Sequence, residues 1–328
     1  MTVRPGPSKA LVAIALATVD VLWGSSFAAI KIALEALPPF LMLAVRWIVA
    51  GAILYAWMNW QERRTDERPG LAQWKNAFFI GGMVIVGGIG GIAFAEQFMP
   101  SGIAALLVSS SPVWAVLISY GVWREGISWA TAVGLALGLA GLIFLVRPTA
   151  AEHISSIGAG VAIAAAISWA IGSVYAPRVA LPKHPLLSAS MQMLAAGAIL
   201  LAVALGTGEL SRIRWTWEAG MALLYLTVFS SLIGFVVYTW LLAEVPITVS
   251  ATVAYAAPAA AVLVGWQLLG EQIAQSTLAA TGVIIFGVAL MITSRTKSGA
   301  QSSDEEVRHR PALQASVMTA EPAYCDCP

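Results

Sequence analysis

The stretches SPVWAVLISYGVWRE (residues 111–125) and APAAAVLVGWQLLGE (residues 257–271) each set a proline thirteen residues ahead of a glutamate, 146 positions apart. The same shift lays AGAIL at 50–54 on AGAIL at 196–200. It also carries Trp23 onto Trp169, Pro39 onto Pro185, Gly88 onto Gly234, Pro100 onto Pro246 and Gly141 onto Gly287, all without a gap. Chance matches in an apolar chain would scatter over Ala, Leu and Val. These cluster instead at helix breakers and charges, so the chain reads as a tandem repeat.

The repeat is built of membrane-like material. Of 328 residues, 59% are hydrophobic and 11% are charged, with a mean hydropathy of +0.81. A soluble domain carries about 25% charged residues. The two cysteines, Cys325 and Cys327, fall in the last four positions and exclude a disulfide scaffold. A basic lead (Arg4, Lys9) precedes the first apolar run, which is too long for a signal-peptide core and reads as a retained helix.

A spanning helix needs about 20 mostly apolar residues. Charges and prolines then divide the chain into ten segments, near 10–31, 39–58, 76–95, 101–122, 129–146, 157–177, 185–206, 218–241, 247–269 and 275–294. Barrel strands would be about half as long and alternate in polarity. The expected fold is all-α and integral to the membrane. It has a short cytoplasmic N-terminus (1–9), a first five-helix repeat (10–148), a periplasmic linker (149–156), a second repeat (157–294) and a disordered cytoplasmic tail (295–328). An odd number of spans per copy makes the second repeat enter from the opposite face. Two inverted five-helix repeats around a central cavity are the architecture of many secondary transporters.

Lysine and arginine set the orientation. With both termini cytoplasmic, the inner side holds Arg4, Lys9, Arg63, Arg64, Arg68, Lys75, Arg124, Arg178, Lys183, Arg295 and Lys297, while the outer side holds only Lys31, Arg147, Arg212 and Arg214.

On LWGSSFAAIK (22–31), the Pro38-Pro39 pair, Arg46 and the two Pro-to-Glu stretches, the chain resembles the drug/metabolite transporter superfamily of EamA type over residues 10–295. The resemblance implies ten helices in two inverted repeats, a central cavity, and export or exchange of small metabolites such as amino acids, or of amphipathic drugs.

Several residues stand out within the spans. Asp20 is an intramembrane acid, suited to proton coupling, to pairing a cationic group or to tying two helices together. Arg46 can grip a carboxylate, pair with Asp20 or snorkel outward. Trp23 and Trp169, with Ser25 and Tyr255, are the expected cavity wall, against plain helix packing as the alternative. Pro112 and Pro258 are expected to kink their helices as gates, with Ser109, Ser110 and Ser111 able to satisfy freed carbonyls. Glu125 and Glu271 are read first as carboxylates at the start of the following helix, and second as gate partners.

A membrane enzyme is the other class considered. The three histidines lie in loops or the tail, and neither a nucleophile motif nor a phosphate-binding loop occurs. A facilitative channel or a lipid flippase on the same repeat is the nearer alternative to a proton antiporter or exchanger. The expected partners are a small-molecule substrate, the lipid bilayer and, as an open alternative, a second copy of the chain in a homodimer. No cofactor, metal or nucleic acid is expected, since two thiols in the tail are a weak soft-metal signal.

Overall fold

The computed structural model describes residues 8–62, 69–124, 126, 128–145, 155–245, 253–271, 278–279, 281–283 and 286. Glu125, the tail with Cys325 and Cys327, and most of the expected tenth segment lie outside the described residues, as does the side chain of Tyr255. All described secondary structure is helical. In chain order, α1 is Lys9–Leu34, α2 Pro39–Glu62, α3 Leu71–Ala95, α4 Ser101–Trp123, α5 Trp129–Leu145, α6 Ser156–Tyr175 and α7 Pro185–Gly206. The eighth, α8, runs through Trp217–Tyr225, Leu226–Ile233 and Gly234–Glu244, and α9 is Val253–Leu269. Seven of these (α1 to α4 and α6 to α8) are long and apolar enough to cross a membrane, and α5 and α9 contain shorter apolar stretches.

Local chemistry explains the boundaries. The Ser8 side chain accepts a hydrogen bond from the Leu11 N–H at 3.2 Å and caps α1. Pro38 disfavours helical backbone at Leu37, and Pro39 supplies a first helical residue with no N–H to satisfy.

Helices in lipid associate through close packing rather than the hydrophobic effect, so small residues mark their contacts. The recurrent AGAIL motif does this work where α2 crosses α7. A Cβ at Gly51 would lie 3.0 Å from Leu194, and one at Gly197 would lie 2.6 Å from Ile48. Ascending α2 from 48 to 51 therefore descends α7 from 197 to 194, and the two helices run antiparallel. The 146-residue shift carries one contact onto the other, Gly51 onto Gly197 and Ile48 onto Leu194.

A second reciprocal pair joins the first span of each half to the third span of the other. Trp23 on α1 lies against Gly234 on α8, and Trp169 on α6 lies against Gly88 on α3. A Cβ would come to 2.7 Å from the first indole and 3.0 Å from the second. The repeat identities Trp23/Trp169 and Gly88/Gly234 are thus contact partners across the halves.

The third spans carry a feature that periodicity did not announce. Gly82–Gly90 in α3 and Leu226–Ile233 in α8 are wound as π-helix, a rare form often found at functional sites. Each offers a carbonyl to the opposite half. Met83 O accepts from Ser168 Oγ at 2.8 Å, and Ser230 O accepts from Trp23 Nε1 at 3.3 Å.

The two expected proline kinks differ. Pro258 sits inside the continuous helix α9. Around Pro112, α4 instead breaks into Ser101–Val108 and Ser111–Trp123, with the proline in the first turn of the second piece. Ser109 Oγ and Ser110 Oγ donate to the carbonyls of Leu106 and Leu107 at 2.7 and 2.6 Å. The matching positions in α9, Tyr255 and Ala256, carry no such hydroxyl beside the backbone, so a serine-rich stretch ends a helix that its copy continues.

Filling the α2–α7 crossing tests this packing. Gly197→Val is expected to cost about 1–3 kcal/mol, read as a lowered Tm of the purified protein in detergent. Gly160→Ala, where a Cβ meets nothing within 4 Å, should leave Tm unchanged or raise it.

Candidate functional site

Between the halves lies a cavity of about 260 Å³. Its wall repeats the sequence shift: Trp23 and Trp169, Ile89 and Phe235, Ile92 and Tyr238, Ser111 and Ala257, and Pro112 and Pro258 all line it as pairs 146 positions apart. The pairs are not chemically equal. On one side, Trp23 lies 5.6 Å from Phe235 and 4.9 Å from Tyr238, ring centre to ring centre, and Phe235 meets the edge of Trp47 at 6.1 Å. Isoleucines occupy the positions matching Phe235 and Tyr238, so Trp23 has aromatic neighbours on its flank and Trp169 has aliphatic ones on the other.

The polar groups on the wall are serines, Tyr238 and Arg46. Arg46 is 3% exposed and does not snorkel. Its Nε donates to Ser231 Oγ at 2.8 Å and its Nη2 to Ser230 Oγ at 3.1 Å, while Nη1 is buried with no partner among the described residues. The guanidinium carbon lies 4.4 Å from the centre of the Trp47 ring, in cation–π range. The π-helical stretch of α8 presents both serines, whose matching positions in the first half are Val84 and Ile85.

The other expected site residues separate into distinct places. Asp20 is not on the cavity wall, and no hydrogen bond or ion pair joins it to Arg46 among the described residues. It lies three positions before Trp23, beside the apolar cluster of α1, α8 and α9 that contains Val19, Leu241 and Ala257, and its Oδ1 is buried without a partner among the described residues. Ser25 also turns away, bonding Tyr225 Oη at 2.6 Å, and its neighbour Ser26 lines the cavity instead. On a helix, adjacent residues point about 100° apart, so a Ser-Ser pair leaves the choice to packing.

Glu271 caps a helix. Its carboxylate accepts from the N–H groups of Ser101 at 2.7 Å and Gly102 at 3.1 Å, so it caps α4 of the other half. Glu209, which sequence reasoning passed over, does the same for α2 by accepting from the Leu41 N–H at 2.7 Å. Its only signal was an acid in the short link after α7. At this same end, Lys31 Nζ donates to the carbonyls of Glu96 and, at 3.0 Å, Met99. The Glu96 side chain is fully buried beside them with both oxygens unpartnered. Burial holds its carboxyl well above the usual range, Lys31 opposes that shift, and Glu271 adds to it.

Membrane-length helices packed around a small internal cavity define a multi-pass membrane protein. The chain belongs to the EamA-like transporter family, which matches it twice, over residues 10–147 and 156–293. It is a membrane transporter. It is 34% identical over 282 residues to an "Uncharacterized inner membrane transporter YedA" of Escherichia coli (strain K12), covering 84% of this chain and 89% of that protein. An "Uncharacterized transporter YvbV" of Bacillus subtilis (strain 168) is 25% identical over 298 residues, covering 90% and 95%. A solved crystal structure at 22% identity shares the fold with a TM-score of 0.59, over 87% of this chain and 98% of that one.

The buried Glu96 gives the protein a pH signature. A carboxyl whose folded value is raised from its ordinary 4.5 contributes most to stability below that value and loses the contribution as pH climbs. Glu96→Gln fixes the neutral form. Its Tm should match that of the native chain near pH 4 and exceed it increasingly above about pH 5. A difference that does not change with pH would contradict the assignment.

Proposed function

We infer that the protein is a secondary transporter of the bacterial inner membrane, exporting small metabolites through this cavity by alternating access. In this reading both termini are cytoplasmic and two inverted five-helix repeats span residues 10–148 and 157–294. One observation carries the reading: the cavity is walled by residue pairs from equivalent positions of two halves whose second helices run antiparallel. Such a site changes its exposure when one half rocks against the other. The reciprocal Trp–Gly contacts and the break at Ser109–Ser110 supply packed surfaces and a hinge for that motion. The inner-membrane location follows the name of the Escherichia coli relative and the excess of lysine and arginine on one side.

Proton coupling is assigned to Asp20. The carboxyl is half-buried, one oxygen has no partner, and the same helix face carries Trp23 to the cavity three residues later. Loading a proton there changes how α1 seats on α8 and α9, and so couples proton binding to the cavity wall.

A metabolite library screened for a rise in Tm identifies a cargo, because a ligand of the folded state stabilises it. In proteoliposomes, that cargo should show counterflow: uptake of label accelerated by unlabelled compound on the opposite side. A flux without this acceleration would indicate a channel. Asp20→Asn should retain counterflow while losing accumulation driven by a pH gradient, and a variant accumulating at the native rate would remove Asp20 from the coupling.

A further inference from the structure

We propose that the cavity selects an organic anion, a carboxylate or equivalent oxyanion on an apolar body, and that Arg46 is the group that binds its charge. Calling that anion a cargo rests on the transporter reading above; the binding itself rests on the cavity.

Arg46 is the one charged residue on the described wall, and its partners there are hydroxyls rather than carboxylates. Ser230 and Ser231 hold Nε and Nη2 in place, and Trp47 covers the guanidinium, yet Nη1 is left with no acceptor. A guanidinium keeps its charge in such a setting, and charges within a membrane face cavities and pair with a partner. Among the described residues, the acids near the helix ends and in the spans are engaged or off the wall. Glu271 and Glu209 cap α4 and α2, Glu96 lies buried at the helix ends beside Lys31, and Asp20 is off the wall.

The charge is therefore uncompensated until a ligand supplies an anion. Arginine's fork suits a two-oxygen acceptor, with the Ser109 and Ser111 side chains as further polar positions on the wall. A cationic ligand would place like charge near Arg46 with no acid on the wall to receive it. The aromatic flank takes the apolar body. A volume of about 260 Å³ lies below the drug-sized range and suits a single ring or a branched chain.

Three probes share one body and differ in charge: 3-phenylpropanoate, 3-phenylpropanamide and 3-phenylpropylamine. Titrated onto the full-length protein in detergent, the acid should raise Tm at concentrations about tenfold lower than the amide, and the amine should give no shift. Arg46→Gln should abolish the preference for the acid. Arg46→Lys, which keeps the charge and removes the fork, should retain a weaker preference and guards against reading misfolding as lost binding. Equal response to all three probes, or an acid preference that survives Arg46→Gln, overturns the proposal. Counterflow separates it from the transporter reading. Exchange of cations or neutral compounds alone would overturn the anion assignment and leave transport standing. Acid-selective binding without counterflow of any compound would overturn transport and leave the anion site standing.

Discussion

In hydrocarbon, two helices gain little by hiding apolar surface from each other, because lipid is as apolar as they are. What remains is contact distance, and this protein obtains it where a side chain is missing. Gly51 and Gly197 let the backbones of α2 and α7 approach until each glycine faces a residue of the other helix. Every later feature depends on that crossing. It brings α2 and α7 together antiparallel, and around it α3 packs against α6 and α8 against α1, leaving an interior space that neither half encloses alone.

The same constraint shapes the polar chemistry. Backbone groups exposed in a bilayer must find partners within the protein, and here the partners cross from one half to the other. Glu271 caps α4, Glu209 caps α2, Trp23 donates to Ser230 O and Ser168 donates to Met83 O. Polar groups that would be costly within one repeat thus become ties between the two. Two of these ties end on π-helical stretches, where the wider turn puts carbonyls within reach of the neighbouring helix.

The halves share a scaffold and differ in what they do with it. Where they match, at the paired tryptophans and prolines, they build the walls. Where they differ, they give the cavity its chemistry: Arg46 faces Ser230 and Ser231, while the equivalents of these three residues are Gln192, Val84 and Ile85. Phe235 and Tyr238 surround Trp23 with aromatic rings, and Ile89 and Ile92 give Trp169 aliphatic neighbours. A two-fold frame with one-sided polarity can hold a single oriented ligand.

Much of the frame was legible in the chain itself. Apolar run length and the spacing of prolines located most of the described helices to within a few residues, because lipid demands continuous apolar helix and proline interrupts it. The 146-residue shift marked Trp23, Trp169, Gly88 and Gly234 as special before any contact was known. Tertiary structure alone decided which side chains meet. Sequence spacing left Asp20 free to pair with Arg46 and Ser25 free to face the cavity, yet helix rotation sent both elsewhere and brought Ser26, Tyr238 and Trp47 to the wall. It also set Glu271 against the first turn of a helix in the opposite half. The physical reason is common to these cases. Length and polarity are properties of one segment, whereas rotation about a helix axis is set by the neighbour it packs against.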